Sequence, residues 1–202
     1  MKHLLLLLSL CVMTACGPRY VDFFPYYDNG VPKPQVVLMP PKLPSDCPVG
    51  FGDELISEMR YQFMDHGDIY LYSDAEIKSG LAKIPNFDCY GRDADWSQAF
   101  CPADYVVLIE TMEHRPYKYP KGCTLSYVLI KLRLKIIDIR HECPRVISNE
   151  LIETCQRICP NPDETIYDLS ASSGAHQHLA KKVVERIEAI VWSNNTDNGS
   201  QP

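Results

Sequence analysis

The sequence predicts an α/β domain on a single mixed sheet of about five strands, with helices packed on that sheet. Three observations predict it. Between Val36 and Tyr72 an apolar run, a helical stripe and a second apolar run follow one another. Within the long run from Leu125 to Ile139, apolar and cationic residues alternate from Ile130 to Ile136, and a tight connection then returns the chain as another strand. A last aliphatic stripe, Leu179, Val183, Ile187, Ile190 and Val191, has helical spacing.

Taken in order, Val36-Val37-Leu38-Met39 is a short buried strand stopped by Pro40-Pro41. Gly50 to Asp65 carries Leu55, Ile56, Met59, Phe63 and Met64 on one helical face, with Asp53 and Glu54 in the first turn, where the helix dipole favours acids. Gly67 ends that helix. Ile69 to Tyr72 is the second strand, and Ser73 or Asp74 caps a short helix to about Lys83. Pro85 to Pro102 reads as irregular. Tyr105 to Glu110 is apolar on both faces and so belongs in the middle of the sheet. Arg115 to Gly122 reads as a loop. In the fourth strand Ile130, Leu132, Leu134 and Ile136 face inward and Lys131, Arg133 and Lys135 outward. Arg140 to Pro144 turns the chain into a fifth strand, Arg145 to about Cys155, and a loop to Ser173 leads into the last helix. The expected order is β-α-β-α-β-β-β-α, without repeats or a second domain.

The amino terminus carries its own signal. A short cationic start at Lys2 and His3 precedes an uncharged run from Leu4 to Met13, the pattern of an export leader. Spanning a bilayer takes about 20 apolar residues, so this run is too short for a transmembrane helix. It closes as Met13-Thr14-Ala15-Cys16-Gly17, which resembles a lipobox with Met13 in the usual leucine place. The expectation is cleavage before Cys16 and lipidation of that cysteine by palmitate-type acyl chains. The alternative is an ordinary leader cut after Ala15, with Cys16 left as a thiol. Gly17 is not the aspartate that retains lipoproteins at the inner membrane, so the outer membrane is expected. The organisation is then 1–15 leader, 16–35 anchor and Pro/Tyr-rich tether, 36–193 domain, 194–202 disordered tail. Tyr20, Phe23, Phe24, Tyr26 and Tyr27 in the tether have two other possible places, on the domain or at the membrane interface.

The formal charge is −6, and loss of Lys2 makes it −7. No basic run stands out, which argues against nucleic acid as a partner. A 46% hydrophobic and 23% charged composition is that of a folded chain. Of nine cysteines, Cys11 leaves with the leader and Cys16 takes lipid. Outside the inner membrane the others point to disulfides, and their odd number leaves one free or paired with another chain. Counting outward from the Arg140–Arg145 turn sets Cys159 opposite about Ser126, close to Cys123. Cys123–Cys159 is therefore one expected pair. Cys89–Cys101, flanking the irregular stretch, is the other.

Val36 to Met39, the helix through Leu55-Ile56-Ser57-Glu58-Met59 and Ile69 to Tyr72 resemble the amino-terminal domain of the TolB, CsgG and LpoB group of envelope proteins. So do Trp96, then Ala103-Asp104-Tyr105-Val106-Val107, then Val128 to Ile139 with Asp138 near the strand end. The cysteine richness is similar to that of uncharacterised chlamydial lipoproteins. The resemblance implies envelope proteins that bind other proteins or assemble into complexes. Pore-forming inserts like those of the curli exporter are not expected, because the segment Glu113 to Cys123 is polar and proline-broken.

No chemistry stands out. A hydrolase elbow, a zincin helix and a phosphate loop are all missing. Cys155-x-x-x-Cys159 with Cys143, His141, His176 or His178 has zinc-like spacing, but oxidation outcompetes zinc in an exported protein, so no metal is expected. His176-Gln177-His178 reads as a solvated helix start. Arg115, Tyr117, Lys118, Tyr119 and Lys121 form a basic-aromatic patch, the candidate partner-binding residues, against the plainer reading of a solvated hairpin tip. The expectation is a lipid-anchored, non-catalytic, protein-binding module of the envelope with no cofactor and no small-molecule substrate. Its rivals are a component of a disulfide-crosslinked envelope network and an envelope enzyme.

Overall fold

In the computed structural model, residues 24–84, 96–118, 126–141, 143–158 and 169–196 are described. The strands are β1 (Gln35–Leu38), β2 (Tyr70–Leu71), β3 (Tyr105–Lys118), β4 (Ser126–Asp138) and β5 (Arg145–Ile158). The helices are α1 (Phe51–His66), α2 (Asp74–Leu81), α3 (Trp96–Phe100) and α4 (Leu169–Thr196). One mixed sheet runs β2-β1-β3-β4-β5. β1 is parallel to β2 and β3, whereas β3, β4 and β5 form an antiparallel meander. The expected fold class is what the chain adopts.

The core has two halves, one on each face. On the first, α1 presents Phe51, Leu55, Met59 and Phe63, and α4 presents Leu179, Val183, Ile187 and Val191. They meet Val36, Leu38, Val107, Ile109 and the row Ile130, Leu132, Leu134, Ile136. Two-residue alternation on β4 and the helical stripes thus bury the same layer. On the second face α2 and α3 cover only the start of the sheet, through Ile77, Trp96 and Phe100 against Val37, Val106, Leu108 and Ile137. The helix α3 falls in the stretch expected to be irregular; its Trp96 and Phe100 stack with centroids 6.1 Å apart.

Ser73, not Asp74, caps α2, and with Glu76 it closes a full capping box. Gly80 lets α3 approach closely: a Cβ there would sit 2.5 Å from Phe100 Cε1 and 2.9 Å from the Ala99 carbonyl oxygen. Because one of those neighbours is backbone, Gly80→Ala is expected to cost about 1–3 kcal/mol in denaturant unfolding.

Three expectations need correction. β3 does not stop at Glu110 but runs to Lys118, so Arg115, Tyr117 and Lys118 are strand residues. After a bulge between Thr111 and Glu113 the strand continues, with Pro116 paired to Val128. The helix α4 continues to Thr196, and Asn194 and Asn195 bond to the sheet instead of starting a tail. The tether is also shorter than 16–35. Tyr27-Asp28-Asn29-Gly30 forms a tight turn with Gly30 at φ 79°, which suits glycine, and the Gly30 amide donates to the Tyr27 carbonyl at 2.9 Å. The Tyr27 hydroxyl donates to the Asp68 carbonyl at 2.9 Å, and the Tyr70 amide to that of Pro34 at 2.9 Å. Residues from Pro25 onward are therefore docked on the domain.

Candidate functional site

Three places gather polar chemistry, and two of them are internal. The first joins the start of β3, the end of β4 and the end of α4. Asp138, fully buried, takes two hydrogen bonds from the Arg140 guanidinium (3.0 and 2.7 Å), one from the Arg140 amide (3.1 Å) and one from the Asn194 side-chain amide (3.0 Å). Arg140 also donates to Asn195 Oδ1 at 2.8 Å, which accepts from the Tyr105 hydroxyl at 2.6 Å, and its guanidinium lies 4.8 Å from the Tyr105 ring centroid. Burial would raise the Asp138 carboxyl, but the Arg140 and Asn194 hydrogen bonds win and hold it at about 2. Its partners use up the charge, so this network fastens α4 to the sheet.

The second lies at the other end of that face. His176 on α4 is 2% exposed, which corrects the expectation of a solvated end; His178 is exposed as expected. His176 Nε2 and His114 Nε2 on β3 lie 3.4 Å apart, and Phe51 sets its ring edge-on to both imidazoles. His176 Nδ1 is 2.8 Å from Glu54 Oε2 without the alignment of a hydrogen bond. Among the described residues no group of three or more His, Cys, Asp or Glu is arranged to hold a metal. Burial, then the His176 charge, push His114 below its usual value. With the folded value lowered, the neutral ring's contribution to stability is present above the unfolded value of about 6.5 and lost as pH falls below it. Urea midpoints should fall from pH 7 to pH 5, and His114→Gln should weaken that slope; an unchanged slope would exclude His114 as its source.

The third place is a surface. Beyond α2 and α3, nothing among the described residues covers the second face of β3, β4 and β5. Ion pairs cross it: Lys42–Glu110 (3.1 Å), Arg133–Glu110 (3.1 Å), Arg115–Glu113, Lys131–Glu113 (3.4 Å) and Lys131–Glu153 (3.4 Å). Hydrogen bonds and charge from Glu153, then Glu113, push the Lys131 ammonium up and keep it charged. Exposed pairs of this kind add little stability, because water screens them. Apolar Leu151, 67% exposed, and Val146, 49% exposed, stand on the same face, and Cys155, also exposed, lies four residues along β5 from Leu151. Leu151 and Val146 are surface residues that the sequence reading did not single out.

Of the predicted partner-binding residues, Arg115 lies on this face, Tyr117 and Lys118 lie in the last residues of β3, and Tyr119 and Lys121 lie outside the described residues. Cys16, Cys89, Cys123 and Cys159 also lie outside them; Cys101 is exposed just after α3. Ser126 pairs with Ile158, not Cys159, because Arg145 pairs with Asp138 instead of Arg140, a two-residue offset that the extra residue of β5 opposite Ile136 and Ile137 reduces to one.

Fold and surface together define an α/β domain whose long antiparallel meander, among the described residues, is covered by α1 and α4 on one face and by α2 and α3 only at its start on the other. The chain belongs to the family of unknown function DUF7499, whose model matches residues 22–195. None of the curated proteins matches it. Among solved structures it is similar to the hypothetical protein CT253 from Chlamydia trachomatis, at 19% identity over 79% of this chain and 98% of that one, with TM-score 0.56. It is also similar to protein XCC0632 from Xanthomonas campestris, at 12% identity over 83% and 90%, with TM-score 0.51. At these identities the likeness shows a shared fold and nothing further. Lipoprotein GNA1162 from Neisseria meningitidis is more distant, at 14% identity over 77% and 98% with TM-score 0.48. No helix among the described residues is long and apolar enough to cross a membrane.

Proposed function

We propose that the protein is a lipid-anchored, non-catalytic module of the bacterial envelope that binds another envelope protein through the face of β3, β4 and β5 that, among the described residues, only α2 and α3 cover, at its start. The observation that carries this reading is the pairing of an open sheet face with Leu151 and Val146 standing exposed among ordered charges. An apolar centre inside a polar rim is the anatomy of protein contacts. The lipobox-like Met13 to Gly17 supports the anchor at Cys16, with the outer membrane favoured by Gly17. The resemblance to the TolB, CsgG and LpoB group supports an envelope binding role, though a shared fold does not by itself carry a shared function.

The test is chemical crosslinking in cells of the lipidated protein, with mass spectrometry of the captured species. One envelope protein captured by the native chain and lost with Leu151→Glu and Arg115→Glu supports the reading. A ladder containing only this chain and other cysteine-rich proteins, collapsing with reductant, favours a disulfide-bonded network instead.

A further inference from the structure

We infer that the end of the domain carrying Phe24, Tyr26 and Lys33 rests on the phospholipid surface that holds Cys16, so that the far end of the meander points away from the membrane. The inference rests on the lipidation proposed above and adds an orientation to it.

Residues Pro25 to Lys33 form a fixed hairpin: the Tyr27 amide donates to the Val31 carbonyl at 2.8 Å and the Lys33 amide to the Pro25 carbonyl at 2.9 Å. Burying aromatic side chains is the usual gain from fixing such a turn, yet Phe24 stays 66% and Tyr26 57% exposed. With Tyr27, Asp28, Lys33 and Gly67 they line a shallow recess of about 520 Å³. Lys33 Nζ stands 5.4 Å from the Tyr27 ring centroid. The amphipathic ring of Tyr26 and a cation on a long aliphatic stem suit the headgroup region, where an apolar body and a polar tip are both satisfied, and the wholly apolar Phe24 gains by leaving water there. Asp28 offsets the charge of Lys33, so the rings carry the attraction more than anionic lipid does.

Chain geometry says which end this is. The hairpin leads directly into β1, and Val36 pairs in parallel with Tyr105 at the start of β3. The end of α4 reaches the same edge through Asn194 and Asn195, bringing Trp192, 38% exposed, to that end of the domain. Lys118 and Ser126 close the described meander at the opposite end. From Cys16 to Phe24 the chain spans at most about 29 Å when fully extended. By contrast, the 14 residues of β3 cover roughly 46 Å. The tether therefore holds the hairpin end at the bilayer and is too short to bring the far end down in its place.

The experiment uses the full lipidated protein with Trp192→Phe as background, reconstituted in phosphatidylethanolamine and phosphatidylglycerol vesicles containing acyl-brominated lipid. Phe24→Trp fluorescence should be quenched at least about twofold more strongly than that of Leu151→Trp, because only the first probe sits at interface depth. Protein that floats with the vesicles but shows equal quenching of both probes overturns the orientation and leaves the anchor standing. Protein that fails to float overturns the anchor and the orientation with it.

Discussion

Replacing Cys16 by serine is expected to move the protein from the membrane fraction to the soluble periplasmic fraction, with loss of labelled palmitate. Among the described residues no helix is long and apolar enough to cross a bilayer. Each buried methylene adds roughly 0.8 kcal/mol, so several acyl chains on one residue make an anchor that hairpin aromatics cannot replace. Loss of Cys16 should therefore change partitioning by orders of magnitude, while Phe24→Ser should leave the protein in the membrane fraction. Fractionation with labelling reads both. A Cys16→Ser chain that still sediments with membranes would contradict lipid anchoring.

The second large effect lies at the opposite kind of site, fully inside the domain. Arg140→Ala should cost about 3–5 kcal/mol in denaturant unfolding, because it strands a buried carboxylate. Asp138→Ala should cost nearer 3 kcal/mol, since the Arg140 side chain keeps 20% exposure and water can take over part of its shell. The pH dependence has a definite sign. The folded Asp138 carboxyl is held at about 2, below its ordinary value of 3.8. Its contribution is therefore fully present above about 4 and is lost as pH falls toward 2. Stability measured across that window should drop in the native chain and drop less in Asp138→Asn.

Much of this was legible where residues obey one period. On β4 the alternation of Ile130, Leu132, Leu134 and Ile136 with Lys131, Arg133 and Lys135 gave both faces correctly, because one face is buried and the other wet. The length of β3 was harder to read, since Pro116 and the charges around it look like a loop. The signal was the partner: a long β4 needs neighbours of similar length, and Arg115 pairs with Leu129. The last helix begins at Leu169, not after Ser173, and a stripe that starts at Leu179 leaves His176 out. Stepping back three and four residues from Leu179 reaches His176 and Ala175, both buried. Asp28-Asn29-Gly30 is a plain turn signal that the proline-rich surroundings hid. The Asp138, Arg140, Asn194 and Asn195 network was not legible at all, for it depends on where the last turn of α4 meets the sheet. The open face itself follows from a short α2 and α3 that reach only the start of the sheet, a tertiary fact with no local pattern behind it.

The most direct test of a binding role is a photo-crosslinking amino acid placed at Leu151 on the open face and, as control, at Tyr61 on α1, which is 64% exposed. On irradiation in living cells, the account predicts one discrete adduct to another envelope protein from position 151 and none from position 61. Adducts of equal yield from both positions, or none from position 151 with the protein correctly anchored, would contradict it.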